Sequence, residues 1–251
     1  MCFTVAILRN NTLLTLEKYY DSLPDDWEKQ NDLPEFTDYY FVSGFSAPEL
    51  PVIKEDGIFM YQWGLIPSWI KTEKDATEIR TKTLNALGET VFEKPSFRKS
   101  IQSQRCILPV TGFFEYRDVN GSKFPYFIHP TESESFFIGA IYDKWINVET
   151  EEINNTFSIV TTTANTLMTK IHNLKKRMPL IMNDNEVYKW MDTKTDAEHI
   201  KKLIKPYDDS KMAAHTISRI ANNARLNRNV PEIINEVIYP EVDASTQLTL
   251  F

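Results

Sequence analysis

The chain has 251 residues, of which 42% are hydrophobic and 25% are charged, a composition typical of a folded globular protein rather than a disordered one. The formal net charge of -7 argues against a protein coated with basic surface for non-specific nucleic-acid binding, although a local basic cleft is compatible with it. The two cysteines are too few for a disulfide framework and lack the paired spacing of a zinc site, so we expect no metal and no cofactor.

The sequence contains no signal for a membrane. No stretch reaches the roughly 18 apolar residues of a membrane helix, and the start has neither a basic region nor a cleavage site of the secretory type. We therefore expect a cytoplasmic protein that does not contact a membrane, and we expect a monomer.

The predicted elements alternate irregularly along the chain. Runs of β-branched and aromatic residues predict strands at 1–8, 39–45, 58–65, 105–117, 124–130, 135–145 and 155–163. Helical periodicity is clearest at 11–23, 96–103, 164–172 and across 183–193 into 196–204, where Asn, Ser or Asp supplies N-caps.

Turn residues separate short strands without a βαβ rhythm. This pattern predicts an α+β fold, with a mostly antiparallel, strongly curved and barrel-like sheet surrounded by peripheral helices. No linker is evident before about residue 240, so we expect one domain over 1–242 and an exposed tail over 243–251.

Cys2 stands at the start of a run, MCFTVAIL, that otherwise resembles a buried strand. Removal of Met1 is chemically easy because Cys2 is small, and it would leave an amine and a thiol on adjacent carbons. Both groups ionise close to neutrality, so they could close a five-membered thiazolidine ring on an aldehyde. The alternative is that Cys2 is a small core residue at the start of an edge strand.

Basic residues are concentrated in two places. Six of them lie between positions 80 and 105, against two acidic ones, and four more surround His172. If the two runs converge on one groove, they form a nucleic-acid site; the alternative is a pair of solvated charged faces.

Six strings occur in a fixed order along the chain. They are the initial MC, WGLIPSW (63–69), TLNALGET (83–90), EKPSFR (93–98), RCILPVTGFFEYR (105–117) and IHNLKKRMPLIM (171–182). Together they resemble the SOS-response-associated peptidase (SRAP) family, and the resemblance extends from Cys2 to about Pro240.

The resemblance implies that Cys2, after loss of Met1, crosslinks to the ring-opened aldehyde of an abasic site in single-stranded DNA. It implies Asn85, Glu115 and His172 as the other active-site positions. The partner would be single-stranded DNA with abasic sites, and the bound protein would be associated with the nucleoid.

Each of these three side chains also has suitable chemistry of its own. The Asn85 amide could hold the Cys2 amine or a sugar hydroxyl, unless it serves a turn. Partial burial of Glu115 would raise its pKa and suit it to proton transfer, unless it is a surface carboxylate. His172 can act as an acid or base near pH 7, unless it is a cation near the C-terminal dipole of a helix.

The resemblance further suggests DNA contacts. In WGLIPSW, the residues Trp63, Pro67 and Trp69 would stack on or wedge beside bases, although tryptophans of such a stretch are also common in cores. The candidates for phosphate contacts are Lys94, Arg98, Lys176 and Arg177.

The chain departs from the family pattern at three places. Phe3 and Thr4 stand where many members have Gly-Arg, Leu87 replaces the arginine of Asn-Ala-Arg, and four residues separate His172 from Arg177 where shorter spacings are common. The departures leave the Cys2 chemistry intact but remove positive charge. Lys175 and Lys176 are candidates to replace it.

The tail ends in QLTLF, which resembles the short peptide by which bacterial replication and repair proteins dock into the sliding clamp. Gln247, Leu248, Leu250 and Phe251 would be the clamp contacts. The alternative is that this apolar ending packs back on the domain.

Three functions remain open from the sequence. The first is a protein that crosslinks to abasic sites and shields them. The second is a thiol peptidase that uses Cys2 with His172 and Glu115; the family name implies a hydrolase, and self-processing or lyase-like activity would also fit. The third is a non-catalytic module for damaged DNA in which Cys2 is inert.

Overall fold

The computed structural model describes residues 2–21 and 34–242. The strands are β1 Thr4–Ile7, β2 Tyr39–Ser43, β3 Glu49–Lys54, β4 Gly57–Trp63, β5 Asn85–Leu87, β6 Arg105–Val110, β7 Gly112–Val119, β8 Ser122–Pro130, β9 Phe136–Ile146, β10 Ile153–Thr163, β11 Arg177–Pro179, β12 Ile181–Met182 and β13 Met212–Thr216. The α-helices are α1 Arg9–Asp21, α2 Glu73–Arg80, α3 Ser100–Ser103, α4 Thr166–Ile171, α5 Asp184–Met191 and α6 Ala197–Leu203.

The larger sheet closes on itself. Its strands pair in the order β10-β4-β3-β6-β9, and β9 pairs again with β10, so five strands form a ring. All of these pairs are antiparallel except β4 with β10. The predicted α+β fold with a curved, barrel-like sheet is therefore confirmed.

The smaller sheet has the antiparallel order β13-β8-β7-β1-β2. The stretch 105–117, predicted as one strand, is two strands that belong to different sheets. The break falls at Thr111, whose N–H donates to Ala6 O (2.9 Å) and whose hydroxyl accepts from Leu8 N (3.0 Å). These two bonds direct the chain out of the barrel and into β7.

The helical periodicity predicted across 183–193 into 196–204 corresponds to two helices, α5 and α6. A capping box between Asn183 and Glu186 begins α5, and the Asp196 side chain accepts from His199 N (2.9 Å) to begin α6. Elements β3, β5, β11, β12, β13 and α2 were not predicted from the sequence. The tail and its proposed clamp contacts lie outside the described residues, so they remain predictions.

Within 2–21 and 34–242, no helix is long and apolar enough to cross a membrane. The same residues contain no group of three or more His, Cys, Asp and Glu side chains arranged to hold a metal ion.

Candidate active site

Cys2 lies fully buried just before β1, in the main hydrophobic core. Its thiol donates to Thr4 O over 3.7 Å. Burial, with a smaller contribution from the nearby Glu115 carboxylate, raises the pKa of the thiol to about 12. The thiol therefore keeps its proton at neutral pH until another group removes it.

Glu115 projects from β7 and is only 5% exposed, so the surface alternative is wrong. Burial disfavours its charged form and raises the pKa of the carboxyl to about 7. Near neutrality the side chain is therefore present in both the protonated and the ionised form, which is the property of an effective proton carrier.

His172 follows α4 directly, and its ring meets both β7 and the chain entering β11. Nδ1 lies 2.9 Å from Arg177 O and 3.6 Å from Glu115 Oε1. A carbonyl only accepts, so Nδ1 bears the proton and Nε2 is the acceptor of the neutral ring. Burial lowers the pKa of His172 to about 4, so the alternative of a cation at the helix end is wrong.

The loop after His172 is hydrogen-bonded to β7 through Asn173. Asn173 Oδ1 accepts from Asp118 N (3.0 Å), and its Nδ2 donates to Asp118 O (2.7 Å). Lys176 has a φ of 50°, and its N–H donates to His172 O over 2.8 Å. This turn accommodates the long spacing between His172 and Arg177 while the His172 ring still reaches the Arg177 carbonyl.

Glu115 and His172 open on one cavity of about 200 Å³, which is also lined by Phe3, the residue after Cys2. The other lining residues are Tyr116, Asp118, Lys123, Leu174 and Lys175. Of the lining residues, Phe3, Tyr116, Asp118, Lys123 and Leu174 were not predicted as parts of a site, because nothing in the sequence brings β7, β8 and the first residues together before the sheet is known.

Asn85 is the first residue of β5 and pairs in parallel with Ile159 of β10, so it does not serve a turn. The residue is 9% exposed, and neither amide atom has a hydrogen-bond partner among the residues that the structure describes. It lines an open groove of about 690 Å³ together with Trp69, Leu87 and Lys94. An unsatisfied amide facing a groove is suited to bind a polar ligand.

The active-site cavity and this groove are joined by packing around Trp63. The indole N–H of Trp63 donates to Leu84 O (2.9 Å), which fixes the residue before Asn85. A Cβ on Gly44 would lie 2.9 Å from the Trp63 ring, and Gly44 N donates to Phe3 O (2.9 Å). Trp63 thus links β5 to the residue that follows Cys2.

Two of the predicted base-contacting residues are in the core. Trp63 has no exposed surface and stacks on Phe157 with 6.1 Å between ring centroids. Pro67 is also buried. Neither presents a face to a base, so their prediction is corrected. Trp69 is 51% exposed and lines the groove, as a stacking residue should.

The predicted phosphate contacts differ in how available they are. Lys94, Arg98 and Lys176 are exposed. The guanidinium of Arg177 instead contacts Glu89 and donates to Thr161 O (2.8 Å), with only 14% of the side chain exposed. Arg177 therefore does not offer a free guanidinium to a phosphate. Its positive charge is paired with the carboxylate of Glu89, a residue that was not predicted as part of the site.

Comparison with known proteins gives a consistent result. The family model described as SOS response associated peptidase (SRAP) matches residues 1–224. The chain is 34% identical to the abasic site processing protein YoqW of Bacillus subtilis over 88% of this chain and 96% of that protein. It is 30% identical to the abasic site processing protein HMCES of Gallus gallus over 69% of this chain and 55% of that protein.

Solved structures show the same fold. A protein from Bacteroides thetaiotaomicron has a TM-score of 0.84 at 36% identity, covering 94% of this chain and 100% of the other. A protein from Bordetella bronchiseptica has a TM-score of 0.69 at 21% identity over 86% of this chain and 100% of the other, a likeness of fold alone. The family match covers Cys2 and the cavity that Glu115 and His172 line, and the chain belongs to the SRAP family.

Proposed function

We propose that this chain processes abasic sites in single-stranded DNA by forming a covalent thiazolidine crosslink through Cys2 after loss of Met1, which shields the lesion. The observation that supports this most directly is the arrangement around Glu115, whose carboxyl has a pKa of about 7, lies 3.6 Å from the neutral imidazole of His172 and acts electrostatically on the buried Cys2 thiol. The related proteins named abasic site processing proteins point to the same activity.

The first step uses the amine that loss of Met1 would free. The amine nitrogen attacks C1′ of the ring-opened sugar and gives a carbinolamine. Loss of water then gives a Schiff base. Protonated Glu115, whose pKa of about 7 keeps this form populated at neutral pH, supplies the proton for the departing hydroxyl.

The second step closes the ring. Sγ adds to C1′, the C=N bond becomes a single bond, and the thiol proton must leave while the nitrogen gains one. Because the pKa of the Cys2 thiol is about 12, few thiolates are present and a base has to remove that proton. The Glu115 carboxylate left by the first step is the proposed base, because its charge already acts on the Cys2 thiol, so one carboxyl serves both steps.

His172 and Asn85 have supporting roles in this proposal. The hydrogen bond from Nδ1 to Arg177 O makes Nε2 the acceptor of the neutral His172 ring, suited to accept a hydrogen bond from the sugar hydroxyl as the hemiacetal opens. The unsatisfied amide of Asn85 is suited to hold a sugar or phosphate oxygen at the edge of the groove.

The groove lined by Asn85, Trp69 and Lys94 is the proposed path of the DNA strand. Trp69 offers an aromatic face for a base, and Lys94 offers a charge for a phosphate. Arg98 and Lys176 are proposed to add phosphate contacts outside this groove, and Arg177 to do so when its contact with Glu89 opens.

The thiol-peptidase alternative fits the site less well. Such enzymes use a thiolate stabilised by an imidazolium or a comparable charge. Here the thiol has a pKa of about 12 and His172 one of about 4, so both groups are neutral at pH 7. Removal of Met1 by the chain itself is the form of peptidase activity that the site accommodates best, because it needs no separate peptide groove.

The test is to incubate chain confirmed to start at Cys2 with a single-stranded oligonucleotide bearing one abasic site. We expect a heat-stable adduct on a denaturing gel, with an intact mass equal to the two components less one water. Cys2→Ser should abolish it. Cys106→Ser, which replaces the other fully buried cysteine, is the matched control and should retain it. No adduct from the processed wild type, or an equal adduct from Cys2→Ser, would refute the proposal.

A further inference from the structure

Two aromatic rings stand beside the active-site cavity without a role in the chemistry above. Phe3 lines the cavity. The centroids of the Phe3 and Phe45 rings are 5.2 Å apart, with an interplanar angle of 35°. Phe45 is 61% exposed. An exposed phenylalanine alone is unremarkable, but this one extends the wall of a catalytic cavity into solvent.

The turn that presents Phe45 is held firmly. Gly44 N donates to Phe3 O (2.9 Å), and Ala47 closes the 3-10 turn with a φ of 50° and an N–H bond to Gly44 O (3.0 Å). A side chain at Gly44 would collide with the buried Trp63 ring, with a Cβ distance of 2.9 Å. The exposure of Phe45 is therefore fixed by the core beneath it.

A further apolar residue lines the same cavity. Leu174 is 71% exposed, and Lys175 and Lys123 line the cavity with it. Phe3 and Leu174 both fall where the chain departs from the family pattern, one after Cys2 and one in the long spacing between His172 and Arg177. The cavity lining thus combines apolar surface with two amines and the carboxyl of Asp118.

We propose that Phe3, Phe45 and Leu174 form a stacking subsite for the nucleobase next to the abasic nucleotide. This inference rests on the proposed function. An abasic nucleotide has no base of its own, so its sugar alone needs to enter the small cavity, and the adjoining nucleotide remains at the mouth. There an intact base meets the aromatic and aliphatic surface, and its phosphate meets Lys123 or Lys175.

The experiment compares three oligonucleotides that carry one abasic site. In the first, both neighbours are adenines; in the other two, one neighbour, on the 5′ or the 3′ side, is a tetrahydrofuran spacer without a base. Crosslinking rates are measured for wild type, Phe45→Ala, Phe45→Trp and Leu174→Ala. Val148→Ala is the control, because Val148 is 64% exposed and lines neither the cavity nor the groove.

We expect wild type to react about 10-fold faster with flanking adenines than with a spacer on the side that stacks. Phe45→Ala should remove most of that difference, Phe45→Trp should preserve it, and Val148→Ala should leave it unchanged. An equal rate on all three substrates, or a preference that survives in both Phe45→Ala and Leu174→Ala, would overturn the inference.

The subsite can also be tested apart from the crosslink. Non-covalent affinities of the Cys2→Ser chain for the same three oligonucleotides should show the same preference, and Phe45→Ala in that background should remove it. If the wild type forms no adduct, the proposed function fails, while these affinities still decide for or against the stacking subsite.

Discussion

Nδ1 of His172 lies 3.6 Å from Oε1 of Glu115, and yet the two groups are not an ion pair at neutral pH. Burial moves their pKa values in opposite directions, to about 7 for Glu115 and to about 4 for His172. Each shift favours the neutral form of its group, because the surroundings solvate charge poorly. At neutral pH the site thus holds a carboxyl that is partly protonated beside an imidazole that is neutral.

These shifts predict opposite effects of pH on stability. The folded state binds the Glu115 proton more tightly than the unfolded state, so this group makes unfolding easier as pH rises from about 4.5 to about 7. His172 binds its proton more weakly when folded, so it makes unfolding easier as pH falls from about 6.5 to about 4.

Substitution should separate the two contributions. Relative to wild type, Glu115→Gln should gain stability as pH rises through 4.5 to 7, by an amount on the order of 3 kcal/mol for the full shift. His172→Gln should instead gain stability, relative to wild type, as pH falls below 6.5. Urea unfolding at half-unit pH steps measures both. Parallel curves for wild type and Glu115→Gln would contradict the raised pKa.

A second prediction concerns the proton transfers of the crosslinking reaction. Glu115→Gln keeps the shape of the side chain but can neither give nor take a proton, so the crosslinking rate should fall by about 100-fold. Affinity for DNA, measured in the Cys2→Ser background, should change little. Glu186→Gln is the control, because Glu186 is a carboxylate of similar burial that pairs with Lys205 outside the site (2.6 Å). Equal losses in both variants would indicate a merely structural role.

A third prediction contrasts the two tryptophans of WGLIPSW. Trp63→Ala removes a fully buried ring and should cost ~3–5 kcal/mol of folding stability. Trp69→Ala removes a ring that is 51% exposed, so stability should change little, while affinity for single-stranded DNA should fall by about 10-fold. Thermal unfolding and fluorescence anisotropy distinguish the two. Unchanged affinity in Trp69→Ala would remove this residue from the proposed DNA path.

Much of this architecture could be predicted from local patterns. The alternation in MCFTVAIL and the aromatic runs identify strands, and the ordered strings predict Cys2, Asn85, Glu115 and His172 as site residues, of which Glu115 and His172 line one cavity. The break at Thr111 could not be predicted, because it depends on hydrogen bonds to β1 and to Leu8, more than a hundred residues earlier in the chain.

Which of the two tryptophans of WGLIPSW is exposed could not be predicted from the sequence either. Both stand in one seven-residue string, and only the packing of Trp63 against Phe157 and Gly44 separates the buried ring from the exposed one. Glu89 was missed for a similar reason, since its partner Arg177 is 88 residues away in the sequence.

The Glu89 contact leads to a fourth prediction. Burial favours the neutral form of Glu89, but the hydrogen bond and charge of Arg177 outweigh it and keep the carboxyl pKa below its ordinary value. Glu89→Gln should free the guanidinium and raise affinity for single-stranded DNA, most clearly at low salt. Glu198→Gln, which breaks an exposed pair with Lys201 (2.8 Å), is the matched control. A loss of affinity in Glu89→Gln would mean that the pair itself supports the DNA site.

The last prediction concerns the missing arginine at position 87. Leu87 is 39% exposed and lines the groove beside Asn85, so an arginine there would face the proposed strand. Leu87→Arg should add one phosphate contact and steepen the dependence of log affinity on log salt by about 0.7. Leu226→Arg adds the same charge at a residue that is 49% exposed and lines neither groove nor cavity. If the dependence of log affinity on log salt steepens equally in both variants, the effect is one of net charge, and the strand does not follow this groove.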